Sequence, residues 1–121
     1  HFITEFKLCS IRLIDNSKFP WIILVPKRKN TTDISELSSK DQILLMKEIV
    51  YASKIMKKTF KAFNLNVEKI GNIVSQLHIH IIARSQKDSS WPLSVWVEKK
   101  QTYFKEDLKK TIKKLKKNFG V

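Results

Sequence analysis

Residues 75–84 show the clearest alternation of apolar and polar positions in the chain. Successive side chains of a β-strand point to opposite faces, so this alternation predicts a strand with one apolar face and one polar face. The apolar face carries Leu77, Ile79, Ile81 and Ala83. The opposite face carries Gln76, His78, His80, Ile82 and Arg84.

Two further strands are predicted near the start of the chain. Residues 8–14 alternate apolar with polar positions, as a half-exposed strand does. Residues 21–25 form an unbroken apolar run, which is typical of a strand covered on both faces, and Pro26 ends it. The short polar side chains of residues 15–18 favour a turn between the two strands. Together these segments predict a hairpin.

Helical spacing occurs in two later segments. Ser38 is a good N-cap, with Asp41 three residues later, and an apolar stripe about six turns long follows. This first stripe consists of Leu45, Ile49, Ala52, Met56, Phe60 and Phe63. Residues 64–66 are expected to end this helix. A second helix is predicted from about Thr102 to a stop at Gly120. Its stripe consists of Phe104, Leu108, Ile112, Leu115 and Phe119.

A short strand is predicted at residues 67–72, with a bend at Gly71 and Asn72 before residues 75–84. Antiparallel pairing of these two strands, with the long helix across the face that carries Leu77, predicts an α+β fold. The expected architecture is an antiparallel meander sheet of about four or five strands, with one long helix packed on it and a C-terminal helix. A mass of 14.2 kDa fits a single domain, residues 1–121.

The formal net charge is +13, from 24 Lys and Arg against 11 Asp and Glu. Residues 99–121 contain nine Lys against Glu106 and Asp107, which gives +7 and so more than half of the excess. A basic amphipathic helix can bind nucleic acid or an anionic membrane. The aromatic residues of this segment lie on its apolar stripe and none alternates with the lysines. A solvated lysine face is therefore the favoured interpretation, and nucleic-acid binding is the less favoured one.

The cysteine content and the length of the apolar runs favour a particular cellular location. Cys9 is the single cysteine and cannot form an internal disulfide, which favours a reducing cytoplasm. We expect it to be a core residue. The apolar runs are far shorter than the roughly 20 residues that a membrane helix needs. No signal peptide is recognisable, although the chain opens on His1 rather than Met. We therefore expect a cytoplasmic protein with no membrane partner.

Gln76, His78 and His80 would form a polar row in which neighbours lie about 6–7 Å apart. Such a row needs no function, because a half-buried strand normally carries polar residues on its solvent face. Composition nevertheless favours a site. The chain has only three histidines and two of them are here, whereas the abundant lysine is absent from the row. A neutral imidazole is a good nucleophile when one nitrogen is held as N–H and the other is bare.

The Q-x-H-x-H motif of residues 76–80, set among alternating apolar residues, resembles the histidine triad (HIT) signature, with Gln76 in place of the first histidine. Arg84 and residues 88–92, which read Asp-Ser-Ser-Trp-Pro, are similar to a small bacterial HIT-like branch. The resemblance extends over about residues 8–96. It implies the HIT fold and a nucleotide-binding hydrolase that cleaves a nucleotidyl phosphoanhydride or phosphoramidate.

The resemblance also implies roles for individual residues. His78 would attack an α-phosphate and form a covalent nucleotidyl-histidine, with its tautomer fixed by a backbone carbonyl, that of Gln76. His80 and the Gln76 amide would hold the non-bridging oxygens. No metal or other cofactor is implied. The candidates for nucleotide and phosphate binding are Asn72, Asp15, Arg84 and Trp91. For Asp15 the role is ribose binding, although an ungapped match places Leu13 there. Trp96 is expected to be structural.

Several alternatives stay open. Gln76 cannot carry a proton to a leaving group, so nucleotidyl transfer is an alternative to hydrolysis. A nucleotide- or nucleic-acid-binding protein with little catalysis is another. In a metal-binding module, His78 and His80 would need further ligands from Cys9, Asp88 or His1, for which no spacing signal exists. The resemblance further implies a homodimer, paired through the long helix and a strand edge, with each C-terminal segment near the partner's site.

Overall fold

The computed structural model of the chain covers residues 1–121. Its five strands are β1 (Phe2–Glu5), β2 (Cys9–Leu13), β3 (Trp21–Pro26), β4 (Asn64–Lys69) and β5 (Ile79–Arg84). Its helices are α1 (Ser39–Phe60) and α2 (Lys105–Phe119), with short 3₁₀ turns at Ile34–Glu36 and Val95–Val97. The predicted α+β class, a sheet with one long helix and a C-terminal helix, is confirmed.

The strands form one sheet in the order β1-β2-β3-β5-β4, and every neighbouring pair is antiparallel. β5 therefore lies inside the sheet, hydrogen-bonded to β3 on one side and to β4 on the other. Trp21 of β3 stands opposite Ile82, and Asn64 of β4 stands opposite Arg84. A strand held on both sides gives the side chains of β5 a rigid base.

The main hydrophobic core lies between the sheet and the two helices. It contains the four residues that the alternation assigns to the apolar face of β5, namely Leu77, Ile79, Ile81 and Ala83. α1 contributes Leu45, Ala52 and Met56 to the same core. Burial of a Leu, Ile or Met side chain typically contributes about 1.5–3 kcal/mol. The opposite face of β5 therefore points away from the helices, as the sequence pattern predicts.

Glu48 connects α1 to the start of β2. Its two carboxylate oxygens accept hydrogen bonds from the backbone N–H groups of Leu8 and Cys9, at 2.9 and 2.8 Å. A buried carboxylate is tolerated when backbone donors satisfy it in this way. Cys9 is 0% exposed, and its burial, together with the nearby Glu48 carboxylate, raises the pKa of its thiol. Cys9 is thus an unreactive core residue, as expected.

The N-terminus of α1 matches its prediction, but the C-terminus does not. Ser38 Oγ accepts a hydrogen bond from the Asp41 N–H at 3.1 Å, which caps the helix. The helix ends at a left-handed Lys61, and the predicted helix end at residues 64–66 is wrong. These residues begin β4 instead, because their backbone pairs with β5. The strand predicted at residues 67–72 accordingly runs over Asn64–Lys69.

α2 ends at Gly120, whose φ of 80° lies in the left-handed region that glycine adopts most easily. The helix starts at Lys105 rather than at Thr102, and Leu115 and Phe119 are buried against the core. Its exposed residues include Lys109, Lys113 and Lys116. Neither helix combines the length and apolar character required to cross a bilayer.

Candidate active site

The two histidines lie where β5 begins, on the face of the sheet opposite the helices. His80 stands between Ile23 of β3 and Glu68 of β4, which are its directly opposite partners in the sheet. Directly opposite residues of antiparallel strands project to the same side. His78 precedes the strand, and its ring lies 4.8 Å from the His80 ring, centroid to centroid. The two imidazoles therefore form one polar feature on an otherwise largely apolar surface.

The tautomer of His78 follows from its contact with the backbone. Its Nδ1 lies 2.7 Å from the carbonyl oxygen of Gln76. A carbonyl oxygen can only accept a hydrogen bond, so Nδ1 carries the proton and donates. In the neutral ring, Nε2 is then bare. This is the carbonyl contact that the resemblance to the HIT signature implies.

The tautomer of His80 follows from a contact across the sheet. The indole Nε1–H of Trp21 donates to His80 Nδ1 at 3.0 Å. An indole can only donate, so Nδ1 is the acceptor and the neutral ring carries its proton on Nε2. His80 is 5% exposed, and burial, with a smaller effect of the neighbouring His78, lowers its pKa from 6.5 to about 4. The ring is therefore neutral at physiological pH.

The two rings thus hold opposite tautomers. His78 presents a bare nitrogen and can attack an electrophile. His80 presents an N–H and can donate to a developing negative charge. Neither property depends on a metal ion, and the structure groups no three His, Cys, Asp or Glu side chains as a metal site. The pair combines a nucleophile with a hydrogen-bond donor.

Two cavities meet at these histidines. One, of about 210 Å³, lies on the side of β2 and β3. It is lined by Ile14, Ile23, Val25, Val74, Gln76, His78 and His80. The other, of about 380 Å³, lies on the side of the loop that follows β4. It is lined by Ile70, Asn72, Ile73, Val74, His78, His80 and Trp96. The histidines therefore form a wall common to both cavities.

The model of the HIT domain family matches residues 1–87 of the chain. The chain belongs to the HIT family. A histidine triad protein of Bradyrhizobium japonicum is 34% identical, with a TM-score of 0.93, over 98% of this chain and 89% of that one. One from Sinorhizobium meliloti is 35% identical, with a TM-score of 0.92, over 97% and 87%. One from Marinobacter aquaeolei is 34% identical, with a TM-score of 0.94, over 99% and 88%. The search of curated proteins gave no match.

Gln76 lies at the site of this HIT domain and lines the smaller cavity with both histidines. Its amide nitrogen lies 3.2 Å from the carbonyl oxygen of Arg28 and 3.4 Å from that of Pro26. The amide group therefore connects the segment before β5 to the exit of β3. A phosphate oxygen would have to compete with these carbonyls for the amide donors.

Asn72 lies where the sequence predicts, along the larger cavity with His78 and His80. Asp15 does not line either cavity. Its carboxylate accepts a hydrogen bond from the Tyr103 N–H at 2.8 Å and so holds the segment that leads into α2. The geometry therefore gives no support to its predicted role as a ribose ligand. Ile14 faces the site in its place.

Arg84 lines neither cavity at the histidines, so the geometry gives no support to its predicted role in phosphate binding. The side chain is 2% exposed and pairs with Asp88 through both carboxylate oxygens, at 2.8 and 3.0 Å. Its other hydrogen bonds go to Asn66, to the Ser90 hydroxyl and to the Leu93 carbonyl. The guanidinium therefore holds the loop after β5 against β4, because its donors are directed into the protein.

The two tryptophans exchange their expected positions. Trp91, predicted at the site, packs against Phe63 and Arg84, each at 5.5 Å. Trp96, predicted as structural, is 49% exposed and its ring lies 5.3 Å from that of His80. Trp96 also lines the larger cavity. Trp91, on the loop after β5, packs against the Arg84 guanidinium. The 3₁₀ turn at Val95–Val97 instead places Trp96 next to His80.

Two residues that lie next to the histidines, Trp21 and Glu68, were not predicted as site residues. Trp21 reads as part of a buried run, and its contact with His80 depends on the pairing of β3 with β5. Glu68 lies on the strand whose extent was mispredicted, and its Oε1 accepts a hydrogen bond from Trp96 Nε1 at 3.3 Å. The ligands that a metal module would need are elsewhere. Cys9 is in the core and Asp88 pairs with Arg84.

Proposed function

We propose that this HIT domain is a nucleotide hydrolase that acts through a covalent nucleotidyl-histidine at His78. The observation that carries the proposal is the contact between His78 Nδ1 and the Gln76 carbonyl, 2.7 Å long. It leaves Nε2 bare and keeps the ring from adopting the other tautomer. An imidazole held in this way is an activated nucleophile.

The reaction has two steps. In the first, the lone pair of His78 Nε2 forms a bond to the α-phosphorus, and the bond from phosphorus to the leaving group breaks with its electron pair on the leaving group. In the second, a water oxygen attacks the same phosphorus and the P–N bond breaks, returning its electron pair to Nε2. The water proton passes to solvent. The products are a nucleoside monophosphate and the leaving group.

His80 supports both steps as a donor. Its ring lies 4.8 Å from that of His78, centroid to centroid, and its Nε2–H can bond a non-bridging phosphate oxygen, where negative charge grows in each transition state. A preoriented donor in a site sheltered from water is worth far more than one in solution. The burial of His80 provides that shelter.

The two cavities fit a substrate that carries a group on each side of the reacting phosphate. A phosphate placed against His78 lies at their common wall, so a nucleoside has room on one side and a leaving group on the other. The smaller cavity has apolar walls from Ile14, Ile23 and Val25, which suit a base or sugar. The net charge of +13 would draw anionic substrates to the molecule.

We also propose that the domain is a homodimer in the cytoplasm. The outer face of α1 exposes four large apolar side chains, namely Ile43, Met46, Val50 and Tyr51. β4 is an edge strand and exposes Val67. An open strand edge beside an apolar helix face is suited to pairing with a second copy. The lone buried Cys9 suits a reducing compartment.

The direct test is to trap the intermediate. The protein is mixed with a dinucleoside polyphosphate, quenched within seconds and analysed by mass spectrometry of its peptides. We expect a nucleotidyl adduct on the peptide that contains His78, and none in the His78→Ala variant. Hydrolysis without an adduct in either protein would contradict the covalent route. Transfer of the nucleotidyl group to an added phosphate acceptor, in preference to water, would instead indicate a nucleotidyl transferase.

A further inference from the structure

We infer that Gln76 is a specificity-determining residue whose side-chain oxygen accepts a hydrogen bond from a sugar hydroxyl of the nucleotidyl group. The inference rests on the proposed function and deepens it. It assigns the substrate class as nucleotidyl compounds whose sugar carries free 2′- and 3′-hydroxyls. The Gln76 amide then serves the sugar, whereas His80 serves the phosphate.

The contacts of Gln76 with the backbone fix the direction of its amide. The amide nitrogen lies 3.2 Å from the carbonyl oxygen of Arg28 and 3.4 Å from that of Pro26. Carbonyl oxygens only accept hydrogen bonds, so the atom that faces both of them must be the nitrogen. An amide turned the other way would bring three oxygens together. Oε1 therefore lies on the side of the amide that faces away from residues 26–28.

The side-chain oxygen of Gln76 is free and reachable. The side-chain bonds of this residue use its nitrogen, and no donor in the protein bonds Oε1. The buried polar side-chain atoms that lack a partner are Ser10 Oγ and Glu68 Oε2, so Oε1 is not sealed inside the protein. Gln76 lines both an opening beside residues 26–29 and the smaller cavity. Because the nitrogen faces residues 26–28, the oxygen is the atom available to the smaller cavity.

The rest of the smaller cavity has few groups that could bond a sugar. Apart from the two histidines its walls are aliphatic, and consist of Ile14, Ile23, Val25 and Val74. The Asp15 carboxylate, next in the chain to Ile14, is bonded to the Tyr103 N–H instead. A hydroxyl that enters an apolar cavity loses its bonds to water and needs a new partner. One well-placed polar group in such a cavity determines orientation and specificity.

The two histidines do not offer a hydroxyl an acceptor. In the proposed reaction His78 Nε2 forms the bond to phosphorus, and its Nδ1–H is donated to the Gln76 carbonyl. His80 Nδ1 already accepts from Trp21, and its Nε2–H is a donor. Gln76 Oε1 is therefore the acceptor that remains. The main-chain carbonyl of Gln76 would orient the nucleophile while its side-chain carbonyl orients the sugar.

The test compares two substrates that differ only in the sugar. They are the γ-phenyl ester of ATP and its 2′,3′-dideoxy analogue, whose shared leaving group carries no sugar. We expect the wild type to favour the ribose compound in kcat/KM by about tenfold, since the dideoxy compound leaves the acceptor unused. Gln76→Met keeps the length of the side chain but lacks the acceptor. It should slow the ribose compound about tenfold and the dideoxy compound hardly at all, so that the preference disappears.

Two further variants separate this role from a structural one. Gln42→Met removes an equivalent contact, because Gln42 Nε2 donates to the Leu37 carbonyl at 2.9 Å near the start of α1. It should keep the wild-type preference. Gln76→Glu retains an oxygen acceptor and should keep the preference even if both rates fall. A preference lost in Gln76→Glu would overturn the acceptor role.

Equal slowing of both substrates in Gln76→Met, with the preference intact, would show that Gln76 only holds the backbone and would overturn the inference. A wild type that cleaves both compounds equally would overturn it as well, but would leave the hydrolase proposal intact. Calorimetric titration with AMP and 2′,3′-dideoxy-AMP does not depend on turnover. We expect AMP to bind about tenfold more tightly to the wild type and equally to Gln76→Met. If neither ester is cleaved, the proposed function fails and this titration alone decides the role of Gln76.

Discussion

His78 places Nδ1 2.7 Å from the carbonyl oxygen of Gln76, two residues earlier in the chain. This contact lies within one short stretch, so the tautomer of the proposed nucleophile is set locally. The tautomer of His80 is set by Trp21, a residue of a neighbouring strand. The two histidines therefore have independent supports, and substitutions can separate their contributions.

Substitutions in the Q-x-H-x-H row should reduce turnover by graded amounts. His78→Ala removes the nucleophile and should abolish turnover of a dinucleoside polyphosphate. His80→Ala removes the donor proposed for the phosphate, and loss of one aligned donor costs about 3 kcal/mol, or roughly a hundredfold in kcat. Gln76→Ala removes the amide that bonds the Arg28 and Pro26 carbonyls, and we expect a smaller loss of turnover from it. Steady-state kinetics on folded variants measure the series. Wild-type turnover in His78→Ala would contradict covalent catalysis at that residue.

Acid should destabilise the protein in part through His80. Its pKa is about 4 in the folded state against an ordinary value of 6.5, so the unfolded chain binds more protons between these values. The free energy of unfolding should therefore fall as the pH drops from about 6.5 towards 4, by up to about 3 kcal/mol from this group. Denaturant titrations at a series of pH values measure the slope.

His80→Asn is the control for this slope. Its amide oxygen can accept the Trp21 N–H, but the side chain does not titrate. The variant should lose the part of the pH dependence that lies between about pH 4 and 6.5. An unchanged slope would show that His80 is not the group responsible.

Arg84 should matter for stability rather than for substrate binding. Arg84→Ala leaves Asp88 buried without its partner, and breaking a buried ion pair in this way costs about 3–5 kcal/mol. Arg84→Lys keeps the charge but loses the two-pronged contact with Asp88, so we expect a smaller loss of stability and an unchanged KM. Lys87→Ala, on the exposed neighbouring loop, should change neither quantity. A raised KM with unaltered stability in Arg84→Lys would restore the phosphate-binding role.

The lysine face of α2 should be dispensable for turnover. Reversal of Lys109, Lys113 and Lys116 to Glu should leave kcat/KM within a few-fold at physiological salt, because exposed charges are screened over about 8 Å. Truncation before Lys105 should instead destabilise the fold, since Leu115 and Phe119 are buried. Tight, salt-sensitive RNA or DNA binding by the wild type, lost in the reversed variant, would favour the nucleic-acid alternative.

The proposed dimer should be detectable from the molecular mass in solution. Light scattering at micromolar concentration should give about twice 14.2 kDa. Met46→Glu and Val50→Glu would place charges on the exposed apolar face of α1 and should shift the mass to that of a monomer. Lys40→Glu, a charge change on the exposed first turn of α1, serves as the control. A wild-type monomer with full activity would remove the dimer from the proposed function.

The sequence by itself determined the features that depend on one short segment, such as the buried face of a strand and the ends of a helix. The alternation in residues 75–84 assigned the core face of β5, and the burial of Leu77, Ile79 and Ile81 confirms it. Local signals also placed the cap at Ser38 and the stop at Gly120. The Gln76 carbonyl as the partner of His78 came from the resemblance of residues 76–80 to the HIT signature, which also lies within one short stretch. Periodicity and capping are properties of short stretches, so they can be predicted from the chain alone.

Only the tertiary structure decided which distant residues meet. Strand pairing brought Trp21 to His80, and it also extended β4 into residues whose polar character suggested a helix end. The loop after β5 turned Arg84 and Trp91 into one cluster and left Trp96 beside the histidine. These outcomes depend on competition among many partners for buried hydrogen bonds and packing surfaces. The outcome of this competition is fixed only when the sheet forms, so a local sequence pattern cannot predict it.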